Sequence, residues 1–122
     1  MTRKIMIVDD DPYILIALRE IFEERGYEVY TVNSGIDCIK ELKHGFKGVI
    51  LLDIMMPLMD GWQTLEEIKQ NNLQNDNVIS ILTAKEYPGE IINDYRDMIT
   101  DYITKPFDNN ELINTVNNYY KN

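Results

Sequence analysis

Short blocks of uninterrupted apolar residues alternate along this chain with longer stretches in which apolar residues recur every three or four positions. That alternation narrows the fold more than any other feature. Ile5-Met6-Ile7-Val8, stopped by Asp9-Asp10-Asp11, reads as a strand covered on both faces, because a half-solvated strand would alternate polar and apolar residues. Gly48-Val49-Ile50-Leu51-Leu52-Asp53 is the most apolar block and is expected at the centre of a sheet; Val78-Ile79-Ser80-Ile81-Leu82-Thr83 is a third. Tyr27 to Val32 carries charge and is expected near an edge, and Tyr102-Ile103 completes five strands. Between them, Pro12 suits the first turn of a helix capped by the preceding Asp and built on Leu15, Leu18 and Phe22, with Gly26 ending it. Ser34 caps a helix through Ile36, Ile39 and Leu42 to about Gly45. Pro57 and Asp60-Gly61 mark a loop before a helix lined by Trp62, Leu65 and Ile68. Pro88 opens a fourth helix with Ile91, Ile92 and Tyr95 inside, and Asp108 caps a last one carrying Leu112, Ile113, Val116 and Tyr120. Five βα units imply an α/β fold, a parallel sheet sandwiched between two helical layers.

The chain has 122 residues, which suits one domain spanning 1–122 with a core that needs no disulfide. One cysteine, Cys38, and one histidine, His44, leave no disulfide framework and no Cys/His zinc site. No apolar run approaches the ~20 residues of a membrane span, and Met1-Thr2-Arg3-Lys4 leads into too short an apolar run for a signal peptide. A cytoplasmic protein is expected. Twelve Lys plus Arg against 21 Asp plus Glu give a formal charge of −9, which disfavours direct contact with nucleic acid or an anionic membrane.

Ligands of open parallel sheets bind beyond the carboxyl ends of the strands, so the residues there carry the chemistry. The first strand ends in Asp9-Asp10-Asp11, the third in Asp53, the fourth in Thr83, and Lys105-Pro106 follows the fifth. Each alone has an ordinary reading: an Asp caps a helix, a Thr closes a turn, a Lys is solvated. Their joint placement at four strand ends outweighs those readings. If the first and third strands are neighbours, the carboxylates converge and repel one another. A divalent cation would relieve them, and all-oxygen ligands favour Mg²⁺. A hydroxyl and an ammonium beside Mg²⁺ suit a phosphoryl group, for which Asp53 would be the nucleophile, forming an acyl phosphate.

Four segments in this order and spacing give the chain a clear likeness. They are Ile7-Val8-Asp9-Asp10-Asp11, the run from Leu51 through Asp53 and Pro57 to Gly61, Leu82-Thr83-Ala84, and Asp101-Tyr102-Ile103-Thr104-Lys105-Pro106-Phe107. From Lys4 to about Tyr120 the sequence resembles the receiver domain of two-component response regulators, of the single-domain, chemotaxis-regulator-like kind. The resemblance implies a flavodoxin-like doubly wound (βα)5 fold with strand order 2-1-3-4-5. It implies that Asp53 is the phosphoacceptor for a histidine kinase or phosphotransfer protein. Asp10 and Asp53 would bind Mg²⁺ with the backbone carbonyl of Met55, and Asp9 would hold a water on the metal. Lys105 would pair with the phosphoryl oxygens, Thr83 would swing onto the phosphate, and Tyr102 would turn into the space it leaves. Pro106 would follow a cis peptide bond. Such a domain is not an enzyme in the ordinary sense. It catalyses only its own phosphorylation and dephosphorylation, and it signals to a target protein or output domain through the face of the last two helices and last strand.

Two positions depart from the family pattern. Met98-Ile99 stands where a Gly-Ala pair is usual, which puts the turn before Tyr102 in question, since Met pays for positive φ where Gly does not. Lys85 places a second cation near Thr83. Two other chemistries share parts of the pattern. A Mg-dependent aspartyl-phosphate phosphatase needs a second acid two residues after its nucleophile, where Met55 stands, and a cap domain that 122 residues do not accommodate. An FMN-binding flavodoxin-like module needs a first loop that welcomes phosphate, and Asp9-Asp10-Asp11 would repel it.

Overall fold

The computed structural model describes residues 2–86 and 93–121. Five parallel strands, β1 (Lys4–Val8), β2 (Glu28–Val32), β3 (Val49–Leu52), β4 (Val78–Thr83) and β5 (Ile99–Thr104), form one sheet in the order β2-β1-β3-β4-β5. The helices are α1 (Pro12–Glu23), α2 (Gly35–Lys43), α3 (Gly61–Gln70), α4 (Asn93–Arg96) and α5 (Asn109–Tyr119). This is the flavodoxin-like, doubly wound arrangement.

The period-two geometry of a strand divides the apolar blocks between two cores. Met6, Val8, Ile50 and Leu52 face Cys38, Leu42, Leu65 and Ile68 of α2 and α3. Ile5, Ile7, Val49 and Leu51 face Leu18, Phe22, Leu112, Ile113 and Val116 of α1 and α5. Burial on both sides explains why β1 and β3 carry no polar residue among their buried positions. Four helices begin on a side-chain cap: Asp11, Ser34, Asp60 and Asp108 accept from the amides of Tyr13, Asp37, Gln63 and Glu111. Each such cap contributes about 1 kcal/mol.

Three details differ from the sequence reading. Ile36 is 47% exposed, because the inner face of α2 runs through Gly35, Cys38, Ile39 and Leu42. Glycine at 35 lets α2 approach α3 closely: a Cβ there would lie 2.2 Å from the Thr64 hydroxyl, so that side chain would have to shift. Tyr27 precedes β2 instead of opening it, and packs edge-on against Phe22 at 5.2 Å. The fifth strand begins at Ile99, three residues before Tyr102, and Met98 does not take positive φ, so the missing glycine costs no strain there. The inner face of the helix expected to open at Pro88, with Ile91 and Ile92, lies outside the described residues.

The edge away from the strand carboxyl ends is closed by aromatic contacts. The Tyr120 hydroxyl donates to the Lys4 carbonyl, and the Lys4 amide donates back to that hydroxyl at 3.1 Å. The Arg3 guanidinium lies 5.7 Å from the Tyr120 ring centroid, and the Tyr27 hydroxyl donates to Asn117. Cys38 is fully enclosed, and burial pushes its thiol up to about 12, aided by the charge of Glu41. It stays protonated and unreactive. None of the described helices is long and apolar enough to cross a membrane.

Candidate functional site

Pairing of Val8 with Leu52 across β1 and β3 places Asp9 and Asp53 side by side just beyond the sheet. The chain holds both in ladder-like continuation: the Asp53 amide donates to the Val8 carbonyl at 3.0 Å, and the Asp9 amide to the Val32 carbonyl at 3.2 Å. Asp9 is 2% exposed and Asp53 5%, whereas Asp10 faces solvent. Carboxylate oxygens of Asp9, Asp10 and Asp53 lie within 4.8 Å of one another.

Each buried carboxylate has one oxygen fixed by its own chain. Oδ1 of Asp9 accepts from the Asp11 amide at 2.9 Å, and Oδ1 of Asp53 accepts from the Met55 amide at 3.0 Å. Their other oxygens turn to Lys105, whose Nζ donates to Asp9 Oδ2 at 2.6 Å and sits 3.7 Å from Asp53 Oδ2. Burial holds the Asp9 carboxyl above the usual carboxylate range. Its bonds from Lys105 and the Asp11 amide oppose that shift, and the Asp53 charge adds to it. Three carboxylates against one ammonium leave a local charge of −2. One divalent cation would balance it, and the donors are all oxygen, so the residues present fit such an ion.

Thr83 ends β4 and is wholly buried, its hydroxyl accepting a long 3.4 Å bond from the Lys85 amide. The Lys105 amide donates to the Thr83 carbonyl at 2.7 Å, which ties the end of β5 to the end of β4. Tyr102 is partly exposed, and its hydroxyl is shared between the carbonyls of Lys85 at 3.0 Å and Glu86 at 3.2 Å. Burial raises its phenol pKa, and the Asp53 charge raises it further, so the field of the acidic cluster reaches this ring. The Met55 side chain is 57% exposed, and the Lys105–Pro106 peptide bond is cis. The structure thus brings Asp9, Asp10, Asp53 and Lys105 into one cluster, with Thr83 at the neighbouring strand end and Tyr102 one step outward.

In the sequence Asp60-Gly61 reads as a loop before the third helix and as the end of the family-like run from Leu51. In the structure Gly61 is wedged against the acceptor strand: a Cβ there would lie 2.6 Å from the Asp53 carbonyl oxygen and 2.6 Å from the Ile54 Cα. The Gly61 amide donates to the Ile54 carbonyl at 2.9 Å, and Asp60 with Gln63 closes a reciprocal cap over the first turn of α3. The signal in the sequence is a glycine that directly follows Asp60 and closes that run.

Known proteins with this arrangement are numerous. The sequence model of the response regulator receiver domain matches residues 5–117. A probable transcriptional regulator, ycf29 of Pyropia yezoensis, is 33% identical over 97% of this chain and 53% of its own length. The chain spans about half the length of the curated relatives it matches. The crystal structure of a CheY-like response regulator receiver domain protein from Methanospirillum hungatei JF-1 is 45% identical, with a TM-score of 0.88 over 95% of this chain and 92% of that one. The response regulator protein TrrA from Thermotoga maritima, crystallised in complex with Mg(2+)-BeF, is 30% identical with a TM-score of 0.76 over 96% and 98% of the two chains. With the fold, the strand-end acids and the sequence match in agreement, the chain belongs to the response regulator receiver domain family of two-component systems.

Proposed function

We propose that Asp53 accepts a phosphoryl group from the phosphohistidine of a histidine kinase or phosphotransfer protein, and that the chain acts as one phosphorylation-controlled signalling domain. The observation that carries this reading is a buried carboxylate at the end of the central strand, beside one lysine, in a pocket of local charge −2. An Asp53 carboxylate oxygen forms the new bond to phosphorus, the phosphorus–nitrogen bond of the donor breaks, and the imidazole leaves with that electron pair. Asp10 and Asp53, with the Met55 carbonyl, would hold Mg²⁺, and Asp9 would steady its water. When bound, Mg²⁺ supplies charge balance for the incoming phosphoryl oxygens. The complex of the Thermotoga relative with Mg(2+)-BeF supports that choice of ion. Lys105, already turned toward Asp53, pairs with a phosphoryl oxygen.

Phosphorylation adds about −1.5 to −2 of charge to this pocket. Thr83 then carries its hydroxyl to the phosphoryl group, and Tyr102 gives up its bonds to the loop carbonyls and turns inward. The changed surface lies on α4, β5 and α5, where a target protein or an output domain docks. The curated relatives of twice this length are transcriptional regulators, which supports control of a downstream response without direct nucleic-acid contact by this acidic domain. The same acidic pocket disfavours FMN, whose phosphate it would repel.

Incubation with Mg²⁺ and acetyl phosphate should produce a phosphoryl adduct visible by intact mass. The adduct should be absent in Asp53→Asn; an adduct of equal yield in that variant would overturn the assignment of Asp53.

The same pocket predicts a metal-dependent stability. Mg²⁺ that binds only the folded state should stabilise the wild type by about 2.7 kcal/mol at a concentration 100-fold above its dissociation constant. In chelator, Asp53→Asn should be more stable than wild type by ~1 kcal/mol, the scale of one pKa unit of relieved like-charge repulsion. It should also gain less from Mg²⁺, having lost a ligand. Urea unfolding of both proteins, with chelator and with Mg²⁺, checks this, and equal Mg²⁺ shifts in the two would speak against a shared acidic pocket.

A further inference from the structure

The first turn of α3, which follows the acceptor loop, touches α4 through an aromatic contact that the Thr83–Tyr102 pair does not involve. Trp62, the chain's single tryptophan, stacks on Tyr95 of α4 with ring centroids 6.0 Å apart and planes 22° from parallel. The Tyr95 hydroxyl also donates to Glu66 Oε2 at 2.9 Å. Trp62 and Glu66 are one helical turn apart on α3, so Tyr95 is held at two points of the same face. Trp62 in turn follows Gly61, which is pressed onto the backbone of Asp53 and Ile54 with no space for even a methyl group. The reciprocal cap of Asp60 and Gln63 keeps the first turn of α3 from fraying, so a shift of the Asp53 backbone is not absorbed there. Trp62 and Tyr95 pack on the same core cluster as Ile54 and Met56 of the acceptor loop.

From these contacts we propose that the Trp62–Tyr95 stack is a second mechanical link between the acceptor aspartate and α4, running through Gly61 and the start of α3 in parallel with the Thr83–Tyr102 track. The link rests on the reading of Asp53 as phosphoacceptor and adds a route by which its occupation reaches the partner face. Close-packed groups with no void between them transmit displacement, whereas a flexible loop would dissipate it. The two tracks differ in destination. The Thr83–Tyr102 track acts at the carboxyl ends of β4 and β5, and the aromatic stack acts on α4 itself.

Amide hydrogen exchange over residues 93–98 and 99–104 tests this, with and without Mg²⁺ and beryllofluoride as an inert stand-in for the phosphoryl group. Adduct formation with acetyl phosphate is measured on the same proteins. In wild type both segments should change on activation. In Trp62→Leu the adduct should still form and the 99–104 response should persist. Residues 93–98, however, should exchange about two- to tenfold faster at rest, the scale of a lost aromatic pair, and should no longer respond. Trp62→Phe, which keeps a stacking ring, should restore the response. Tyr102→Ala should do the reverse, losing the 99–104 response and keeping that of 93–98. A 93–98 response unchanged in Trp62→Leu, or lost in Tyr102→Ala, overturns the second link. Failure of wild type to form an adduct would instead overturn the reading of Asp53.

Discussion

Lys105→Ala is expected to lower the stability of the metal-free protein by about 3 kcal/mol at neutral pH, the low end of what breaking a buried ion pair costs. The lysine makes the 2.6 Å bond to a carboxylate that is 3% exposed, and it is the sole cation within ion-pair distance of Asp9 and Asp53 among the described residues. Its removal leaves two buried negative charges facing each other. The loss should depend on pH in a definite direction. The Asp9 carboxyl is already held above its ordinary value of 3.8, chiefly by burial, while Lys105 works against that shift. The folded state therefore binds the proton more tightly than the unfolded chain. Its advantage is full below 3.8 and is lost as pH rises through the folded-state value. Without Lys105 that value moves further up, so the window widens toward neutrality. Urea unfolding in chelator from pH 4 to pH 8 should show the two proteins closest in stability at the acid end and furthest apart at neutrality. A constant difference across the range would mean that Lys105 acts through packing and not through its charge.

Gly61→Ala should be comparably damaging for a different reason. The added methyl group would stand 2.6 Å from two backbone atoms of the acceptor segment, and backbone cannot rotate aside as a side chain can. Relief requires α3 to move off the end of β3, which breaks the 2.9 Å bond from the Gly61 amide to the Ile54 carbonyl. Overpacking of this kind costs about 3 kcal/mol, the upper part of the usual range. The displacement also carries Asp53 away from Lys105, so adduct formation with acetyl phosphate should fall along with thermal stability. A variant as stable and as readily phosphorylated as wild type would show that the close approach is not maintained in solution.

What the sequence discloses here follows from range. The continuous apolar runs of β1 and β3 reveal strands buried on both faces, and the acids that stop them reveal the carboxyl edge, because both signals lie within a few residues. The side-chain caps at Asp11, Ser34 and Asp108 are local in the same sense, whereas Asp60 reads in the sequence as part of a loop although it caps α3. β5 was harder to delimit, because an edge strand with Thr100 and Asp101 in solvent lacks the apolar continuity that marks its neighbours. Ile36 misled because an apolar residue one position off the helix face looks the same in sequence as one on it. The ion pair of Asp9 with Lys105 joins residues 96 apart, and Trp62 meets Tyr95 across 33 positions. Such contacts are set by the strand order, which local patterning does not specify. The family likeness places Lys105 toward a phosphoryl group and not toward Asp9, and it implies neither the wedge at Gly61 nor the stack on Tyr95.

The aromatic closure around Tyr120 has a consequence for how firmly the two rims of the sheet are held. At that rim Lys4, Arg3, Tyr27, Asn117 and Tyr120 satisfy one another, while the opposite rim carries crowded like charges. Backbone amides at the acidic rim are therefore expected to exchange with solvent faster than those of β1 and α5 at the aromatic rim, because local opening costs more where polar groups and rings satisfy one another. The seam where β1 meets α5 is therefore expected to be the part of the sheet that outlasts any partial opening of the acceptor end.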